Sequence, residues 1–160
     1  MKRILATRCL QQNQRDLLLQ ANIRLVEYNF ITQDPIPFIL PQDITHAIFT
    51  SQNAVNVFFS KWKNNVLPTF KVFCVGNKTA ALLRQNGLQV CVTKPHAKAL
   101  AKTLCKDYKQ HTFHFFCGTT RRPELPETLA ACGVTLKEVA LYKTIAQPKR
   151  FSQIFDGIFN

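Results

Sequence analysis

Apolar positions along the chain follow two rhythms that take turns. Short apolar runs, "RILAT" (3–7), "IRLVEYNF" (23–30), "HAIFTS" (46–51), "KVFCVG" (71–76), "LQVCVT" (88–93), "TFHFFCG" (112–118) and "VTLKEVALYKT" (134–144), read as strands. Between them lie segments of helical spacing: "QRDLLLQAN" (14–22), "NAVNVFFSKWK" (53–63), "NKTAALLRQNG" (77–87), "AKALAKTLCKDY" (97–108) and "PELPETLAACG" (123–133). Asn86-Gly87 is a helix stop of the left-handed kind, and Gly133 closes the last helix in the same way. Strand–helix alternation at this pitch predicts the α/β class, with parallel sheet flanked by helices on both faces.

Two breaker segments punctuate the pattern. "TQDPIPFILPQD" (32–43) carries three prolines, and "TIAQPKR" (144–150) follows the last strand. A full set of strands and helices lies between them, whereas the flanks hold too few to close a sheet. The pattern predicts a complete inserted α/β domain over 40–143. The flanks, 1–33 and 150–160, then belong to a first domain begun at one end of the chain and resumed at the other, with two extended linkers between the domains.

Composition adds a core and a charge. Hydrophobic residues make up 46% of the 160 positions, which excludes wholesale disorder. Lys and Arg number 21 against 9 Asp and Glu, a net charge of +12 that calls for an anionic partner. The basic residues are scattered rather than striped and no nucleic-acid motif is present, so nucleic acid is not the expected partner. No run suits a membrane span or a signal peptide. None of the six cysteines forms a CxxC pair, and Cys74, Cys91 and Cys117 sit within apolar runs. Free buried thiols and a reducing, cytoplasmic setting are expected.

The chemistry concentrates where strands end. "LATRCL" (5–10), "FTSQNAV" (49–55), "CVGNKTA" (74–80) and "FCGTTRR" (116–122) each leave a strand through hydroxyl, amide or glycine residues and enter a helix. Open α/β sheets bind ligands outside the carboxyl ends of their strands, and free N–H groups at helix starts suit phosphate or carboxylate. Ser51, Asn53, Asn77 and Thr119 also fit a plainer role as helix caps. Arg121 and Arg122 stand where a helix start normally attracts acids, as though an anion were to sit before them. Neither a P-loop nor a GxGxxG fingerprint occurs. His111 and His114 fall on opposite faces of a predicted strand and make no metal pair. Phe58, Phe59 and Trp62 have helical spacing and read as core.

"FTSQNAVNVFF", "VFCVGNKTAALLRQNGLQV" and "HFFCGTTRRPELPETLAACGVTLKEVALYKT", in this order and after the Thr-Arg turn of "LATRCL", resemble uroporphyrinogen-III synthase over nearly the whole chain. The resemblance implies a two-domain α/β lyase that needs no metal or organic cofactor, monomeric when complete. Its substrate would be hydroxymethylbilane, a linear octacarboxylate tetrapyrrole, bound between the domains. Water leaves, ring D is inverted through a spiro intermediate, and the macrocycle closes. The implied substrate-binding residues are Thr7, Arg8, Thr50, Ser51, Asn53, Gly76, Asn77, Thr79, Gly118, Thr119 and Arg122. Tyr142 matches the tyrosine proposed to help the hydroxyl leave.

Family members continue beyond the equivalent of residue 160, so the first domain is expected to be incomplete in this chain and synthase activity of residues 1–160 alone to be negligible. The rival reading is a non-catalytic α/β module that binds an anionic or phosphorylated ligand through the same loops.

Overall fold

Thirteen elements form where the two rhythms place them, with one addition. The structure, a computed structural model, describes residues 2–62 and 69–147, with Trp62 described by its backbone alone. In chain order the elements are β1 (Lys2–Ala6), α1 (Gln12–Gln20), β2 (Ile23–Glu27), β3 (Ile31–Pro35), β4 (His46–Phe49), α2 (Gln52–Trp62) and β5 (Lys71–Val75). Then follow α3 (Asn77–Gln85), β6 (Val90–Lys94), α4 (Ala97–Asp107), β7 (Thr112–Gly118), α5 (Glu124–Ala131) and β8 (Thr135–Ala146). Strand β3 is the addition, lying inside the proline-rich stretch read as a breaker. It occupies the edge of its sheet and ends on Pro35, a place where a missing N–H breaks no ladder.

Contacts divide the chain into two compact units, Met1–Asp34 with Thr144–Asn160, and Pro35–Lys143. The expected return segment 150–160 lies outside the described residues.

In the first unit β1 and β2 pair in parallel, joined by α1 as a parallel pair requires. Glu27 holds this crossover together. Its carboxylate accepts the Leu10 N–H at 2.5 Å and pairs with Arg15 Nη2 at 2.9 Å. The Leu10 hydrogen bond is the main reason its carboxyl titrates below the usual range. Helix α1 buries none of its residues, and Leu17 and Leu19 are 65% and 78% exposed.

The second unit is built on β4 to β7 and most of β8, which belong to a six-stranded sheet of order β3-β8-β7-β4-β5-β6. The β4/β5, β4/β7, β5/β6 and β7/β8 pairings are parallel. Strand alternation sorts the apolar residues into two cores. Ala47, Phe49, Val72, Cys74 and Phe116 face one layer with Ala54, Val55 and Phe58 of α2 and Ala80 and Leu83 of α3. Ile48, Phe73, Phe113, Phe115 and Cys117 face the other with Leu100 and Leu104 of α4 and Leu125 and Leu129 of α5. Both faces are therefore covered, as a parallel sheet needs. Phe49 and Phe116 stack with centroids 5.1 Å apart, and Phe58 meets both edge-on. The expectation that Phe58 belongs to the core holds; its neighbour Phe59 is half-buried against it.

The six cysteines are not all free buried thiols. Cys105 on α4 and Cys132 after α5 form a disulfide, their Cα atoms 5.8 Å apart. The two helices pack side by side on one sheet face, which brings residues 27 positions apart together. Cys9 and Cys91 are exposed, leaving Cys74 and Cys117 as the buried free thiols.

Two imidazoles are buried at the amino ends of the strands. His46 lies against His111 with ring centroids 4.3 Å apart and planes tilted by 32°, and its Nδ1 lies 3.0 Å from Thr45 Oγ1. Among the described residues His114 has no hydrogen-bond partner for either ring nitrogen; Asp43 Oδ1 stands 3.5 Å from its Nε2, and Asp43 Oδ2 pairs with Lys137 at 2.6 Å. Burial is the first cause holding both histidines below the ordinary value of 6.5. His111 and Lys71 push His46 the same way. At His114 the attraction of Asp43 opposes burial and Lys137 reinforces it.

The unfolded chain thus takes up these protons at higher pH than the folded one. The stability contribution is complete above about pH 6.5 and is lost as pH falls towards the folded values. The thermal midpoint should drop between about pH 7 and about pH 5, and His114→Leu should flatten part of that slope. An unchanged slope in the variant would assign the acid sensitivity to other groups.

Candidate functional site

In the second unit, strands β4, β5 and β6 succeed one another in one direction while β7 and β8 run on in the other. The order reverses between β4 and β7, and the loops beyond their carboxyl ends diverge there, leaving a crevice. A cavity of about 450 Å³ opens at this point. Thr50 and Ser51 line it from beyond β4, Val75 from the end of β5, and Pro95, His96 and Ala97 from beyond β6. Cys117, Gly118, Thr120, Arg121 and Arg122 come from β7 and its loop, Glu124 and Leu125 from α5, and Tyr142 from β8.

A register shift sets the centre of the cavity. β7 and β8 pair in step from Thr112↔Thr135 to Cys117↔Ala140, then slip so that Gly118 faces Tyr142. The N–H of Thr119 donates to the Tyr142 carbonyl at 2.8 Å. A Cβ on Gly118 would stand 2.8 Å from Cε2 and 2.9 Å from Cζ of the Tyr142 ring. Only a glycine lets the ring lie flat against this strand end. The Tyr142 hydroxyl is 3.3 Å from Ser51 Oγ, while Ser51 Oγ accepts the Ala54 N–H at 3.1 Å as the cap of α2. Capping occupies an acceptor site on Ser51 and leaves its proton free for the phenol.

The two arginines do different things. Arg121 forms a fork with Glu138 of β8, Nε to Oε2 at 2.7 Å and Nη2 to Oε1 at 2.5 Å. Its charge is answered from within the protein, and the Glu138 hydrogen bonds raise its already high pKa. Arg122 makes no ion pair among the described residues. Both arginines precede α5, whose first turn carries Glu124 and Glu127 as the helix dipole favours. Cys117 lies between these groups with its thiol pushed up to about 11, by burial first and then by Glu138, with Arg121 opposing. A thiol so protonated is not a nucleophile.

Of the expected site residues, the structure gathers Thr50, Ser51, Gly118, Arg122 and Tyr142 around one cavity. Asn53, Gly76, Asn77, Thr79 and Thr119 do not line it. Asn53 is exposed in the first turn of α2, and Thr79 is buried in α3. Gly76 precedes α3 with φ +84, and Asn77 begins that helix without a side-chain cap. Thr7 and Arg8 are exposed after β1, in the other unit. The β6 loop was missed because "KPHA" (94–97) has neither the glycine nor the hydroxyl residues of the other four. The available signal was a histidine at a helix-cap position: His96 Nδ1 accepts the Ala99 N–H at 3.2 Å. Among the described residues no cluster of three metal-ligating side chains occurs, and no helix is long and apolar enough to cross a membrane.

An open sheet with a crevice at its switch point defines a doubly wound α/β protein. The family model described as uroporphyrinogen-III synthase HemD matches residues 15–157, and the chain belongs to the uroporphyrinogen-III synthase family. Solved structures agree in fold. The uroporphyrinogen-III synthetase of Helicobacter pylori 26695 aligns with a TM-score of 0.72 at 16% identity, covering 98% of this chain and 68% of that one. A mutant uroporphyrinogen III synthase from the extremely thermophilic bacterium Thermus thermophilus aligns with a TM-score of 0.65 at 15% identity, covering 93% and 65%. The chain thus spans about two thirds of the length of these proteins.

The close approach of Gly118 and Tyr142 can be tested. Gly118→Ala should displace the tyrosine ring, break its contact with Ser51 and cost about 1–3 kcal/mol of stability. Denaturant unfolding measures the loss. A variant as stable as the parent, with an unshifted Tyr142 ring resonance, would contradict the packing described.

Proposed function

We propose that this chain carries the hydroxymethylbilane-binding cavity of a uroporphyrinogen-III synthase, a hydro-lyase that closes the macrocycle with inversion of ring D and loss of water. Its place is in tetrapyrrole (heme) biosynthesis. The observation that carries the reading is the Tyr142–Ser51 hydroxyl pair at 3.3 Å, set on the wall of a cavity that also exposes Arg122. A departing hydroxyl needs a proton or a strong hydrogen-bond donor, and the phenol of Tyr142 supplies one. Ser51, its own acceptor site occupied by Ala54, can donate in turn to the phenol oxygen. The carbon–oxygen bond breaks, the hydroxyl leaves as water, and the cation left on the bilane is spread over its pyrrole. Arg122 and the loop N–H groups meet the carboxylates.

Thr50 and Gly118 contribute cavity wall. Asn53, Gly76, Asn77, Thr79 and Thr119 act by setting the loops at the strand ends. The domain organisation that goes with this reading is 1–33 and 150–160 as parts of one domain and 40–143 as the other. A monomer in the cytoplasm also goes with it.

The test is the ratio of type III to type I uroporphyrinogen formed from hydroxymethylbilane, by this chain and by a version extended with a family C-terminal segment. The extended version should form type III. Type I alone from it would refute the synthase and leave an anion-binding module. In that version Tyr142→Phe should lower turnover on the order of a hundredfold with unfolding unchanged. Full activity with reduced stability would make Tyr142 structural. Arg122→Ala should weaken polycarboxylate binding roughly tenfold and flatten its salt dependence. Unchanged binding at low salt would remove Arg122 from the site.

A further inference from the structure

We infer that His96 determines how the cavity grips one carboxylate, donating from Nε2 while Nδ1 is held by the backbone; this rests on the polycarboxylate reading above. His96 occupies the cap of α4, where its Nδ1 accepts the Ala99 N–H at 3.2 Å. Acceptance at Nδ1 places the proton of the neutral ring on Nε2 and makes that atom a donor. Serine, threonine, aspartate or asparagine would cap this helix with a shorter side chain. What the imidazole adds is a second polar atom on the side of the ring away from the helix, and His96 lines the cavity.

The other charged groups there leave it a role. Arg121 is matched by Glu138, and Glu124 brings a negative charge from the first turn of α5. Arg122 reaches the cavity from the β7 loop and His96 from the β6 loop, so the two donors arrive from different strand ends. A carboxylate between them would receive a charged donor and a neutral one. The neutral donor adds direction without adding to the general attraction, and direction is what selects one arrangement of acid side chains over another.

His96→Ser separates the two duties of the residue, since serine keeps a cap oxygen and has no Nε2–H. The probe is uroporphyrin III, a stable octacarboxylate, titrated into the 160-residue chain and followed by fluorescence. His96→Ser should bind roughly tenfold more weakly with an unchanged thermal midpoint. His96→Ala should lose the same affinity and also melt earlier. His96→Asn, which offers both a cap oxygen and an amide donor, should recover most of the affinity. Equal affinity for the parent and His96→Ser would reduce His96 to a helix cap while leaving the polycarboxylate site standing. Absence of uroporphyrin binding by the parent chain would overturn both the site and this inference.

Discussion

The pairing of β4 with β7 is the constraint on which the second unit depends. Parallel strands cannot be joined by tight turns, so each connection from β4 to β8 is a helix that must cover one sheet face. Helices α2 and α3 cover one face, and α4 and α5 the other. Strands β5 and β6 extend the sheet beyond β4 while β7 and β8 extend it the other way, so the chain must change direction beside β4. Loops that leave in opposite directions do not fill the space between them. The crevice is a consequence of burying both faces of one parallel sheet, and the cavity needs no separate device to exist.

What makes the cavity particular is the slip between β7 and β8. Had the register continued from Cys117↔Ala140, Gly118 would not face Tyr142. The slip brings a residue without a side chain against a phenol ring, and the ring reaches the cap of α2. Three elements thereby meet through two hydroxyls. Behind them Phe49 of β4, Phe58 of α2 and Phe116 of β7 pack ring against ring. A hydrogen-bonding pair held by such a core is oriented by the fold itself, which is what the proposed donor role requires.

Charge is distributed with a similar economy. The chain as a whole is strongly basic, yet one of the two arginines at the cavity is neutralised by Glu138, and the other meets no carboxylate among the described residues. On the proposed reading, net charge supplies the long-range attraction and the few groups with unfilled hydrogen bonds supply the fit. Cys117 shows the reverse case: although it lines the cavity, burial keeps its thiol protonated and out of the chemistry.

The sequence by itself determined the class of fold, because strand and helix periods are local properties. "KVFCVG", "TFHFFCG" and the helices after them carry their structure in neighbouring residues, as do the glycine stops at Gly87 and Gly133, both at positive φ. It also determined the family, through loops whose order along the chain survives as a pattern. Tertiary structure decided everything that joins distant positions. Ser51 and Tyr142 meet across 91 residues, Arg121 finds Glu138 across 17, and Cys105 finds Cys132 across 27. It also decided that the proline-rich stretch yields β3, an edge strand supplied by pairing with β8 rather than by its own residues. His96 belongs to the same group, since a histidine after a proline says nothing until the fold sets its loop beside Arg122. Periodicity is written in adjacent residues, whereas strand register and the pairing of side chains are fixed only when the whole sheet is assembled.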